Sequence, residues 1–327
     1  MWRLNNFRLA LLTIAGFLAI FDAFADIVER PVLVATVSRA YGVHPTSRGF
    51  RDGMEQLGYK EFVDYVVGDF YTRGDNSRLP SILDQIATNG SHIIITMNEQ
   101  ASIEAKKISQ DIPVLFSGVS NPVGLGLVGS FARPSQGMTG IANIDHELDR
   151  ERWKRFRQLI PKLNRVLYVY PPEAETSERI NSLRESAKAS DIELIEKPVS
   201  SVDDAQAYFA RINRGEFDAI LSPNNASLGL MGLATQASRR TGIPSLGHTS
   251  DLVEAGALAS YGASYHAAGV QLARMVDKLI KGVDINTIPV EMNRAFELVV
   301  NLSTAREIGL DLPPAVLYQA ERVIREH

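Results

Sequence analysis

Convergent polar side chains do the chemistry of a folded chain, and this one carries them in short clusters. Ser38 to Tyr41, Asn98 to Gln100 and Ser117 to Asn121 lie in the first half. Asn224 with Asn225, His248 to Ser250, and then Tyr261 lie in the second. These are hydroxyls, amides, an imidazole and phenol rings, which suit a small polar or amphipathic solute. Asn98, Gln100, Ser117, Asn121, Asn224, Asn225 and His248 are the expected hydrogen-bonding residues, and Tyr41 and Tyr261 the expected aromatic packers.

The same inventory excludes other chemistry. The chain has no G-x-S-x-G elbow and no Walker loop, so no catalytic residues are assigned. None of its six histidines forms H-x-x-x-H or pairs with a carboxylate at ligand spacing, and there is no cysteine. No metal site, thiol chemistry or disulfide is therefore expected. Gly124 to Gly129 fits G-x-G-x-x-G, with Asp145 downstream. Pro122 interrupts its approach, however, and Pro134, Gly137 and Gly140 break the segment after it. No amphipathic helix can follow the glycines, so they read as a loop, and no cofactor is expected.

The clusters fall where strands should end. Val32 to Val37, His92 to Met97, Val114 to Val119, Arg165 to Tyr170 and Asp218 to Ser222 are strand-like runs. Apolar runs of this kind suit parallel strands buried on both faces. Helical patterns lie between them: Thr46 to Leu57, Arg78 to Ala87, Gln100 to Ser109, Glu175 to Ala189, Val202 to Asn213 and Leu228 to Thr241. Such alternation predicts right-handed βαβ units and an α/β fold, whose ligands sit outside the strands' carboxyl ends. Asp111-Ile112-Pro113 and Gly242-Ile243-Pro244 each end a helix and open a strand, which points to two similar halves. Beyond them, Ala257 to Tyr261 and Phe296 to Asn301 read as strands, with a helical stripe on Ala268, Leu272, Val276 and Leu279 between. These extra pieces predict several crossings between the halves and a hinge. The expected division is a first lobe over 26–144, with about 262–285 returning to it. The second lobe spans 145–261, with about 286–327. Arg150 to Arg157 reads as a solvated amphipathic helix with Trp153, Phe156 and Ile160 on its apolar face.

The first residues read as a secretory leader: Arg3 and Arg8, an apolar run from Leu9 to Phe21, and Ala23-Phe24-Ala25 before Asp26. Cleavage after Ala25 would release the chain into the periplasm; a retained signal anchor is the alternative. Across 327 residues, 45% are hydrophobic and 22% charged, the composition of a globular two-domain chain. Net charge is −4, so no basic field is available to hold nucleic acid.

Several blocks resemble one family. They include His44-Pro45, Gly49-Phe50-Arg51-Asp52-Gly53 and Leu57-Gly58-Tyr59. The most specific runs from Asp111-Ile112-Pro113 through Ser117-Gly118-Val119-Ser120-Asn121-Pro122-Val123-Gly124 to Arg133-Pro134. Pro223 to Asn225, Glu254 to Leu258, Ser260-Tyr261-Gly262 and Phe296 to Asn301 follow in order. Together they resemble ABC-transporter substrate-binding proteins of the tryptophan-binding, TrpX-like type, over essentially the whole mature chain. The resemblance implies a type I periplasmic-binding fold: two doubly wound Rossmann-like lobes joined by a multi-crossover hinge, with a solute between. It implies a non-enzymatic, monomeric receptor that feeds an inner-membrane permease, or else presents its ligand to a membrane sensor. The chain departs from the family pattern at Asn98-Glu99-Gln100, Pro171-Pro172 and Pro223-Asn224-Asn225. A ligand at 100 times its Kd adds about 2.7 kcal/mol of stability. Asn225→Ala and Tyr261→Ala are expected to abolish the corresponding thermal shift without unfolding the protein.

Overall fold

The computed structural model describes residues 31–40, 42–143, 148–172, 177–223 and 228–325. The expected leader and its cleavage site lie outside these residues. None of the described helices is long and apolar enough to cross a membrane.

The first half builds a parallel sheet from β1 (Val32–Ser38), β2 (Tyr65–Tyr71), β3 (Ile93–Thr96), β4 (Val114–Val119) and β5 (Met138–Ala142), in the order β5-β4-β3-β1-β2. Three helices lie between the first four strands: α1 (Pro45–Gln56), α2 (Leu79–Thr88) and α3 (Glu99–Ala105). Alternate side chains of the strands fill two cores. Ala35, Val37, Ile94, Phe116 and Ala142 pack with α2 and α3. Val34, Ile95, Leu115 and Ile141 pack with Phe50 and Met54 of α1. This two-faced burial is why the strand sequences are continuously apolar.

The second half repeats the plan. β6 (Arg165–Tyr170), β7 (Glu193–Pro198), β8 (Ala219–Leu221), β9 (Ser245–Gly247) and β10 (Ala259–Ala263) take the order β7-β6-β8-β9-β10, the same doubly wound sequence. Its helices are α4 (Asp149–Leu159), α5 (Ser177–Ala189), α6 (Val202–Arg211), α7 (Leu228–Thr241) and α8 (Ser250–Glu254).

After β10 the chain returns to the first sheet. There α9 (Tyr265–Ile280) buries Ala268, Leu272 and Val276 in the core of α1. Glycines bring the two helices into backbone contact: a Cβ on Gly269 would lie 2.1 Å from the Thr46 carbonyl oxygen, and one on Gly49 1.9 Å from that of His266. The stretch 286–292, expected with the second lobe, instead edges the first sheet. Its β11 (Glu291–Met292) pairs parallel with β5, and the Thr139 hydroxyl donates to the Ile288 carbonyl at 2.7 Å. The chain then crosses again. β12 (Phe296–Asn301) pairs antiparallel with β10, and β13 (Arg322–Ile324) lies beside β12, after α10 (Leu302–Glu307) and α11 (Pro314–Gln319).

Three connections thus join the sheets, and Asn293 ties them together. Its backbone N–H donates to the Ala142 carbonyl (2.8 Å), its Nδ2 to the Ser264 carbonyl (3.0 Å), and its Oδ1 accepts from the Ala295 N–H (3.1 Å). Asn293 is fully buried.

Overpacking a closed contact costs about 1–3 kcal/mol. Gly269→Ala and Gly49→Ala are each expected to lower the urea midpoint accordingly. Gly42→Ala, which meets nothing within 4 Å, should leave the midpoint unchanged.

Candidate ligand-binding site

Parallel strands direct their carboxyl ends to one edge of each sheet, and there the first sheet buries polar groups without partners. Asn98 follows β3. Its Oδ1 caps α3 by accepting from the Ala101 N–H at 2.9 Å, while its Nδ2 has no hydrogen-bond partner. The Ser117 hydroxyl, 0% exposed in β4, has none either. Asn143, which follows β5 and is 2% exposed, leaves both amide atoms unpaired. These residues stand on three adjacent strands.

Strand alternation sets where they face. Met138 and Ala142 belong to one core and Ile141 to the other, so Asn143 continues the Ile141 face. In β4, Leu115 and Phe116 split in the same way, which puts Ser117 on the Leu115 face. That face is roofed by the N-termini of α1 and α9. His44, the cap of α1, packs against Tyr265, the first residue of α9, with ring centroids 5.1 Å apart and the ring planes tilted by 59°. Gly118 leaves room for this ring. Its φ is +70°, and a Cβ there would lie 2.9 Å from the Met97 carbonyl oxygen and 3.6 Å from the Tyr265 ring.

The second sheet carries a charged chain at the same edge. Asp149 accepts from the guanidiniums of Arg152 and Arg179. Arg152 Nε donates to the Tyr261 carbonyl at 2.8 Å. Arg179 Nη2 lies 3.2 Å from His248 Nε2, and His248 Nδ1 lies 3.0 Å from the Ser222 carbonyl oxygen. A carbonyl only accepts, so Nδ1 carries the proton and Nε2 accepts from Arg179. Burial, and then the nearby Arg152 and Arg179 charges, hold the His248 pKa well below the usual histidine value. The reading of Arg150 to Arg157 as an amphipathic helix holds for its buried face of Trp153, Phe156 and Ile160, and is corrected at Arg152, which is 0% exposed, as is Asp149 just before that segment. Burial of this pair is sustained by mutual hydrogen bonding.

The two edges meet. Glu254 Oε1 of α8 accepts from Arg48 of α1 at 3.3 Å and from Arg322 of β13 at 2.7 Å. These half-exposed pairs add little stability; the Arg322 pair lies within the second half, and the Arg48 pair places α8 of the second sheet against the start of α1.

Among the expected residues, Asn98 and Ser117 come together on one edge and His248 lies on the other. Gln100 is exposed on the first turn of α3. Asn121 is exposed, and its Oδ1 accepts from the Gly124 N–H at 2.8 Å, shaping the glycine loop. The Tyr261 ring packs in the core of the second half beneath Arg155, whose guanidinium carbon is 5.7 Å from the ring centroid. Alanine at this position should therefore cost stability, contrary to the expectation of an intact fold. Tyr41, Asn224 and Asn225 lie outside the described residues. Asn143 and Tyr265 were not legible in advance. The first follows a strand whose threonine and glycine hide it; the second sits beyond a crossing that only the fold reveals. Among the described residues no cluster of three or more His, Asp or Glu could hold a metal ion. A groove of about 400 Å³ at the opposite edge of the first sheet, by Val32, His92 and Ile285, is mostly apolar.

Burial pushes the His44 pKa down to about 4, with Asp251 opposing and Arg48 reinforcing the shift. Its Nδ1 accepts from the Thr46 N–H at 3.2 Å, so protonation would break the α1 cap. The unfolded chain binds that proton near pH 6.5. The stability from neutral His44 is thus complete above pH 6.5 and is lost as pH falls toward 4. The Tm should drop across this window. His44→Asn, which can still cap, should remove about 1–3 kcal/mol of that pH dependence in urea unfolding.

Comparison with known proteins agrees with this architecture. A tyrosine-binding protein of Clostridioides difficile is 23% identical over 276 residues, covering 82% of this chain and 78% of that one. A Streptococcus pneumoniae ABC domain solved in complex with L-Trp superposes with a TM-score of 0.73 at 20% identity, covering 90% of this chain and all of the other. A ligand-free, open substrate-binding protein with adhesive properties from Clostridium difficile superposes with a TM-score of 0.65 at 21% identity, covering 90% of this chain and 99% of the other. Residues 32–324 match the family described as ABC transporter substrate binding protein. With two doubly wound sheets joined by three crossings, the chain belongs to that family and has the type I periplasmic-binding fold.

Proposed function

We propose that this protein is an exported, non-enzymatic, monomeric solute receptor of an ABC importer. It captures an aromatic amino acid or a close analogue between its two lobes and delivers it to an inner-membrane permease. The observation that carries this reading is the row of unpartnered buried groups at Asn98, Ser117 and Asn143, set opposite the edge that holds His248. Burying a polar group without a partner costs about 1–3 kcal/mol. A ligand that pairs these groups recovers that cost only when it is in place. The Tyr265 ring beside Gly118, with His44 packed against it, supplies an aromatic face. The names of the relatives, one for tyrosine and one solved with L-Trp, favour the same ligand class.

Closure follows from differential binding. A ligand touching both lobes favours the closed arrangement and shifts the population toward it. The α8–α1 contact between Glu254 and Arg48 is then a product of closure, and it gives the closed form a surface for the permease that the open form lacks.

Titration calorimetry should find L-tryptophan or L-tyrosine binding with a Kd near 1 µM, about −8 kcal/mol. Glycine and ribose should not bind. Ser117→Ala should weaken binding by roughly tenfold, the worth of one hydrogen bond of about 1.4 kcal/mol. Heat absent for every aromatic amino acid would refute the reading.

A further inference from the structure

The polar edge of the first sheet contains one residue whose whole side chain is unaccounted for. Asn143 is 2% exposed, yet neither Nδ2 nor Oδ1 has a partner. Its backbone is firmly placed: the N–H donates to the Val119 carbonyl at 2.9 Å, extending the β4–β5 ladder by one residue. Asn143 stands at the start of the first crossing between the sheets. The preceding carbonyl, that of Ala142, receives the Asn293 N–H that ties the three crossings together. The backbone that carries the amide is thus fixed at the hinge, and the amide lies on the face roofed by α1 and α9, in the same row as Ser117.

Resting on the proposed amino-acid reading, we infer that Asn143 is a specificity-determining ligand contact that grips the charged head of the amino acid. A carboxamide offers one donor and one acceptor side by side. The head of an α-amino acid offers the complement: a carboxylate that accepts from Nδ2–H and an ammonium that donates to Oδ1. The Ser117 hydroxyl on the neighbouring strand adds a second donor to the carboxylate. Because Asn143 begins a crossing, a ligand that engages it bears directly on the hinge.

A polar side chain that is buried and unpaired in the empty protein does not stabilise the fold, so its removal should be neutral or favourable there. This separates a ligand contact from a structural role. The experiment measures unliganded Tm and calorimetric Kd for the wild type, Asn143→Ala and Asn143→Ser. The probes are L-tryptophan, L-tyrosine, tryptamine and indole-3-propionate. The wild type should prefer L-tryptophan over the two analogues that each lack half of the head. Asn143→Ala should weaken L-tryptophan by at least about tenfold, flatten that preference, and leave unliganded Tm unchanged or raised. Affinities within about threefold of wild type would overturn the assignment. So would a fall in unliganded Tm of more than about 4 °C in both variants, which would mark the amide as part of the fold or of a structural water site. A wild-type protein that ignores both amino acids overturns only the amino-acid reading. The unliganded Tm then decides Asn143: a fall removes it from the site, and an unchanged or raised value keeps it there.

Discussion

Three strands of chain pass between the two sheets, and the Asn293 amide and backbone hydrogen-bond all of them. A buried amide with three well-placed partners is strongly specified, because losing any one would leave a polar group unpaired in the interior. The rest of the architecture is suspended from this knot. It sets where β5 ends, where α9 begins and where β12 starts, and so it decides that the carboxyl edges of both sheets face one another. The knot also keeps the first sheet's returning pieces, α9 and β11, in register with the strands they cover. Rotation of one lobe against the other must be absorbed in the few residues around it.

The two facing edges differ in how their polar groups are satisfied. On the second sheet, Asp149, Arg152, Arg179 and His248 bond to one another and tie α4, α5 and the end of β9 together. That edge is a preformed wall. On the first sheet, Asn98, Ser117 and Asn143 keep hydrogen-bonding capacity in reserve. The asymmetry suits a receptor: one rigid charged face, and one face whose buried polar atoms are completed by whatever enters. Pre-organisation of this kind reduces the ordering cost of binding.

The fold was largely readable from apolar patterning. The runs that became β1, β4, β6 and β12 are long and mostly apolar, and α7 runs over the residues its helical pattern marked. The Pro113 and Pro244 stops gave away the repeat, which the structure shows as one strand order used twice. What escaped has physical reasons. The strands β2 and β7 stand at sheet edges with polar residues such as Asp69, Glu196 and Lys197, and β5 carries Thr139 and Gly140, so their periodicity is blurred. The two-residue β11 is held by partners distant in sequence and has no local signature. The candidate site was half readable, because strand-end residues such as Asn98, Ser117 and His248 follow from the strand pattern alone. Asn143 required knowing that β5 exists. The buried Arg152 looked like surface charge because its partners, the Asp149 carboxylate and the Tyr261 carbonyl, lie outside the Arg150 to Arg157 segment.

A crystal structure of the protein grown with L-tryptophan would put the central claim to its most direct test. The account predicts the amino acid enclosed between the two sheet edges, its ring against Tyr265 and its head within hydrogen-bond distance of Ser117 and Asn143. An unoccupied cleft with the compound bound in the groove by Val32 and His92, or with no compound bound at all, would contradict it.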